Sequence, residues 1–180
     1  MSAAELFLAR SRYWLTKEYP IKLRHCAEAL PRSAVWARPN NSSNSVGNLL
    51  VHLTGNVTEW ILGGVGGRSI ERYRAGEFAQ RDGGDASQLL DNLDRVLRDA
   101  DTVLAGLTDQ DLAKPLTIQD RETTALGAIY HVVEHFAMHT GQIIVLTKIY
   151  APDKIHFYED AGGLARPTWH VGTDLDEAAH

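Results

Sequence analysis

The most constraining feature of this chain is one long stretch of helical periodicity beginning at Thr123 or Thr124 and continuing to Tyr150, where Pro152 stops it. At ~1.5 Å per residue such a helix is about 40 Å long. Three other segments carry the same period and can pack beside it. Residues 3–30 place Leu6, Leu8, Tyr13, Trp14, Leu15, Ile21 and Leu23 at helical spacing, and Pro20 is expected to kink or divide that segment. Residues 46–62 follow the run Asn40 to Ser45, which offers several N-caps, and Gly63, Gly64, Gly66 and Gly67 are expected to end them. Residues 87–107 repeat Leu89, Leu90, Leu93, Val96, Leu97, Val103 and Leu104, with Ser87 as the expected cap.

No comparable run of alternating apolar and polar residues supports a substantial sheet, so the predicted architecture is all-α, an antiparallel four-helix bundle. Residues 68–86, including Tyr73 and Phe78, form a long crossover, and connections of that length often cover a pocket. Residues 1–165 are expected to form one domain. Residues 166–180 form a short C-terminal extension, acidic and Ala-rich, and are expected to be poorly ordered.

Charge and composition remove several classes of function. The net charge is −5 and the 18 Lys and Arg are scattered, so the basic stripe that neutralises nucleic-acid phosphates is missing. A single cysteine, Cys26, excludes an internal disulfide framework and a Cys-rich zinc site, and fits a reducing compartment. Glu5, Arg10 and Arg12 interrupt any export signal at the N-terminus, and the apolar stretch Ile143 to Leu146 is far short of the ~20 residues a membrane span needs. A soluble, cytoplasmic protein with small-molecule partners is expected.

The last helical segment carries His131, His135 and His139. Four residues advance a helix by ~400°, so successive histidines are rotated by about 40° and displaced by ~6 Å along one stripe. His135 and His139 face inward on this projection, where a buried imidazole must find a hydrogen-bond partner or a metal. His52, at the edge of the apolar face of the second segment, supplies a third candidate. Asn48, Asn56 and Glu59 lie within about 40° of it and could orient a water or ligand. Three imidazoles suit Zn, Ni, Fe or Cu better than Ca or Mg, and three protein ligands leave a position open for water or substrate. His131 reads as a neighbouring or surface residue, although it replaces His139 if the helix is rotated. Glu134 points away from the pair, so the geometry of a His-Glu-x-x-His protease is absent.

Asn48-Leu49-Leu50-Val51-His52-Leu53 and His135-Phe136-Ala137-Met138-His139-Thr140-Gly141-Gln142-Ile143 resemble the histidine motifs of the DinB-like superfamily, metal-binding four-helix bundles that include YfiT-like hydrolases and thiol transferases. The resemblance spans about residues 1–150. It implies that His52, His135 and His139 ligate one divalent transition metal (Zn, Ni or Fe), gives His131 no direct ligand role, and implies a homodimer. Some relatives conjugate low-molecular-weight thiols to electrophiles, so a metal-dependent thiol transferase is the first functional expectation. Hydrolysis by metal-bound water, with Glu59 as base, is the alternative. A non-enzymatic, metal-clamped bundle is the third, with Trp14, Trp36, Trp60 and the Tyr73 to Phe78 loop lining a binding surface.

Overall fold

A computed structural model describes residues 1–169. Helix α1, Ala3–Tyr13, starts at a capping box in which Ser2 and Glu5 satisfy each other's backbone amides. It runs through a π-helical segment, Trp14–Glu18, into α2, Tyr19–Ala29. Pro20 lacks an amide hydrogen and its ring crowds the carbonyl one turn earlier, so the wider π turn just before it lets the rod continue. The disruption expected at Pro20 is thus a local widening of a continuous rod.

Helix α3, Val46–Val57, begins at Ser45, whose side chain accepts from the Asn48 amide while the Asn48 side chain accepts from the Ser45 amide. It continues as a second π-helical segment, Thr58–Val65, three residues past the expected end. Gly63 and Gly64 lie inside this helix because neighbours press on it. A Cβ would stand 2.9 Å from Ile70 at Gly63 and 2.3 Å from Ile118 at Gly64. These glycines admit packing partners; the helix stops only at Gly66.

Inside the crossover lies a short helix, α4, Arg74–Ala79. Helix α5, Ala86–Ala105, is capped by Asp85 with Gln88 completing the box, not by Ser87 as expected. After α6, Asp109–Leu112, strands β1, Pro115–Ile118, and β2, Arg121–Thr124, form a small antiparallel hairpin. Thr124 then caps α7, Ala125–Tyr150. A second hairpin joins β3, Tyr158–Asp160, to β4, Ala165–Pro167.

The four rods make a four-helix bundle in which α2 and α3 each pack on both α5 and α7. Its core holds Leu15, Leu23, Leu53, Ile61, Leu93 and Phe136, all essentially removed from water. Arg12 to Asp101 and Arg24 to Asp94 tie the first rod to α5 at the surface. Beyond the second hairpin, Trp169 is buried against Phe157 and Tyr158, with the Lys22 ammonium 4.1 Å from its ring centroid. Of the expected tail, Arg166 and Pro167 belong to the exposed strand β4 and Trp169 is buried, and 170–180 lie outside the described residues. Among the described residues, no helix is long and apolar enough to cross a membrane.

Candidate metal centre

His52 projects from α3, and His135 and His139 from α7, into the contact between these two helices. One ring nitrogen of each lies within 4.8 Å of those of the other two, and no carboxylate or thiol belongs to the group. His52 is 2 % exposed and His139 7 %. The pair on α7 meets because residues four apart lie one above the other on one helix face.

The hydrogen bonds assign the ring nitrogens. Nδ1 of His52 is 2.7 Å from Glu77 Oε2 and 3.2 Å from Arg72 Nη2; a carboxylate only accepts, so the shorter contact puts the proton on Nδ1 and leaves a lone pair on Nε2. Nδ1 of His139 donates in the same way to Gln142 Oε1 at 2.7 Å. Nε2 of His139 is buried and has no hydrogen-bond partner among the described residues. Nε2 of His52 stands 2.8 Å from Nε2 of His135. With a lone pair on His52 Nε2, this contact is satisfied either by a proton on His135 Nε2 or by a cation that both nitrogens share.

Burial and the neighbouring His139, His52 and His131 push the His135 imidazole down to about 3. His139 is lowered by burial as well, against the opposing hydrogen bond to Gln142. Both rings are neutral near pH 7, the state in which imidazole ligates. An orphaned inward nitrogen, a close nitrogen pair and neutral rings are what a transition-metal ion of borderline softness requires of its donors.

Around the histidines runs a charged network. Arg72 donates from Nε to Glu77 Oε1 at 2.6 Å, from Nη2 to Glu77 Oε2 at 2.9 Å, and from Nη1 to Glu59 Oε2 at 2.5 Å. Gln119, at the hairpin turn, donates to the same Glu59 oxygen at 2.6 Å. Burial works to raise the Glu77 carboxyl, but the hydrogen bonds from His52 and Arg72 hold it below the usual range. The Phe78 ring lies 4.6 Å from the His52 ring, centroid to centroid.

The other sequence candidates have definite places. Asn48 is buried at the α3 cap and donates to the carbonyls of Glu77 and Gln80, so its amide holds the crossover and is not offered to a ligand. Asn56 is buried one turn beyond His52, with Oδ1 unpartnered. Glu59 is engaged by Arg72 and Gln119. The His131 ring lies tilted against Trp60, 4.1 Å between centroids, and stays outside the three-histidine group. Trp60 is buried, and Trp14 and Trp36 pack against the core instead of lining an open surface.

Sequence reasoning missed Glu77 and Arg72. The only signal was that the crossover was long. A surface cleft of about 810 Å³ is lined in part by Leu49, Met138, Gln142, Val145 and Ile149 and by none of the three histidines. Gln142 both lines this cleft and accepts the bond from His139.

Residues 20–143 match the family model of the DinB superfamily. No curated protein matches the chain. Among solved structures, YfiT from Bacillus subtilis, described as a probable metal-dependent hydrolase with an unusual four-helix bundle topology, is similar with a TM-score of 0.67 at 19 % identity. That similarity covers 83 % of this chain and 89 % of that one. A DinB-like protein from Bacillus subtilis, YjoA, is similar with a TM-score of 0.62 at 16 % identity, covering 84 % and 98 %. The shared bundle and the match over most of its length lead to one conclusion: the chain belongs to the DinB superfamily.

Proposed function

We propose that this protein binds one divalent transition-metal ion through His52, His135 and His139 and uses it to transfer a low-molecular-weight thiol to an electrophilic small molecule. The observation that carries the metal reading is the buried Nε2 of His139, without a partner among the described residues, in a group whose three histidines each bring one ring nitrogen within 4.8 Å of the others. A divalent ion held there would supply Lewis acidity and lower the pKa of a thiol or water that joins it. Zn, Ni and Fe all accept three imidazoles.

The chain's own groups favour transfer over hydrolysis assisted by a carboxylate. A general base needs a free lone pair and a pKa near the working pH. Arg72 engages Glu77 through both oxygens and Glu59 through Oε2, which also accepts from Gln119, so both carboxylates are committed to this network. The cleft beside Gln142, with Leu49, Met138, Val145 and Ile149 in its lining, suits a small molecule with an apolar part. YfiT's description as a probable metal-dependent hydrolase makes hydrolysis the alternative tested beside it.

Elemental analysis of tag-free protein is expected to find about one transition-metal ion per chain, lost in His52→Ala and His139→Ala. No metal after reconstitution would reject the centre. With metal established, a panel of low-molecular-weight thiols and a generic electrophile is expected to give metal-dependent conjugation that His135→Ala abolishes. Conjugation indifferent to metal and to that substitution would reject transfer. Metal-dependent ester or amide cleavage without thiol consumption would replace it by hydrolysis.

A further inference from the structure

The crossover between α3 and α5 is docked on the centre at several points. Asn48 Nδ2 donates to the backbone carbonyl of Glu77 at 2.9 Å, so the residue is held by its main chain as well as by its side chain. Arg38 Nη2 donates to the next carbonyl, that of Phe78, at 2.5 Å. The Glu77 carboxylate then reaches His52 Nδ1 at 2.7 Å while Arg72 grips both of its oxygens. Gly55 makes room for this. A Cβ there would stand 2.3 Å from Glu77 Oε1 and 2.8 Å from Arg72 Nε, so any side chain would push the ion pair off the helix.

A carboxylate on the far nitrogen of an imidazole selects one tautomer, orients the ring and raises the basicity of the other nitrogen. We propose that Glu77 is a positioning residue of the centre: it holds His52 protonated at Nδ1 with Nε2 directed at His135, and Arg72 and Gly55 keep it in place. The inference rests on the three-histidine reading. It adds that the crossover, which contributes no histidine, sets the affinity of the site. Arg72 is needed because a buried carboxylate without a counter-charge would be displaced from this position.

Two measurements keep the claim apart from the metal reading. The first uses metal-free protein and nitrogen-edited NMR of the imidazoles, which reads the tautomer directly. His52 is expected to show a protected Nδ1-bound proton in the wild type, to keep it weakly in Glu77→Gln, which retains an acceptor oxygen, and to lose it in Glu77→Met. The second is Co²⁺ titration followed by the visible absorption of the bound ion. Glu77→Met is expected to weaken binding ~10- to 100-fold and to alter the spectrum, with Glu77→Gln in between. Gly55→Ala, which changes no polar group, is expected to move both readouts in the same direction. Wild-type tautomer and Co²⁺ affinity within threefold in Glu77→Met would overturn the proposal. If the wild type binds no Co²⁺, the metal reading fails, and an unchanged His52 tautomer in Glu77→Met still overturns the role of Glu77.

Discussion

Replacing Arg72 by Met tests how the charged network around the centre is held. The Arg72 and Glu77 side chains are 8 % and 9 % exposed and share two hydrogen bonds, whereas Glu59 is 24 % exposed. Removing the guanidinium leaves Glu77 as a carboxylate with His52 alone. Breaking a buried pair in this way costs about 3–5 kcal/mol, because the remaining charge keeps its desolvation penalty. The contact to Glu59 adds at most about 1 kcal/mol, since that carboxylate can regain water. A total of about 4 kcal/mol corresponds to a fall in Tm of roughly 8–16 °C for a domain of this size. Urea denaturation of chelator-treated protein at pH 7 measures it without a metal contribution. In Arg72→Met with Glu77→Gln no buried charge is stranded, so the two losses are not additive, and a coupling of about 2–3 kcal/mol is expected. A loss below about 1 kcal/mol in the single variant, or strict additivity in the double, would refute the view that Arg72 neutralises a desolvated carboxylate.

Four further outcomes follow from other parts of the molecule. Burial pushes the Cys26 thiol from 9.0 up to about 11 against the opposing bond to Thr147, so at pH 8 a disulfide reagent should label native protein at least about 100-fold more slowly than urea-unfolded protein; comparable rates would contradict it. Because the folded pKa is the higher one, the stability linked to Cys26 is fully present below pH 9.0 and declines as the pH rises from there to about 11. A Cys26→Ser variant should lack that part of the alkaline loss in a pH series of denaturation curves. At Gly47 a Cβ would stand 2.8 Å from three atoms of the Trp36 ring, so Gly47→Ala should cost about 1–3 kcal/mol by overpacking in urea denaturation, and a neutral effect would mean the indole yields freely. His131 packs tilted against Trp60 outside the three-histidine group, so His131→Phe should keep the metal content of the wild type by elemental analysis; loss of the ion would make His131 a ligand.

Much of the fold was legible because its signals are local. The spacing of apolar residues marked four rods. The run Asn40 to Ser45 and the pair Thr123 and Thr124 offered helix starts, of which the fold uses Ser45 and Thr124, and Pro152 marked the end of α7. The same local geometry put His135 and His139 on one face of α7, and helical projection placed His52 at the edge of a buried face. Where expectation and structure part, the competing influence comes from elsewhere in the chain. Gly63 and Gly64 look like a helix terminator, yet they lie within a π-helical segment because Ile70 and Ile118 close on that surface. The start of α5 moved from Ser87 to Asp85 because Asp85 and Gln88 form the reciprocal pair.

The sequence by itself determined the four amphipathic rods, the histidine stripe and the family, since each depends on residues within a few turns of one another or on ordered motifs. Tertiary structure decided the rest of the centre. Glu77 lies 25 residues after His52 in a segment without periodicity, and only the docking of that segment on Gly55 and Asn48 brings its carboxylate to the ring. Asn48 and Glu59, both candidates from their position beside His52, were claimed instead by the crossover backbone and by Arg72. The reason is that helical phase specifies which face a side chain occupies, whereas its hydrogen-bond partner is whichever group the packed chain delivers to that face.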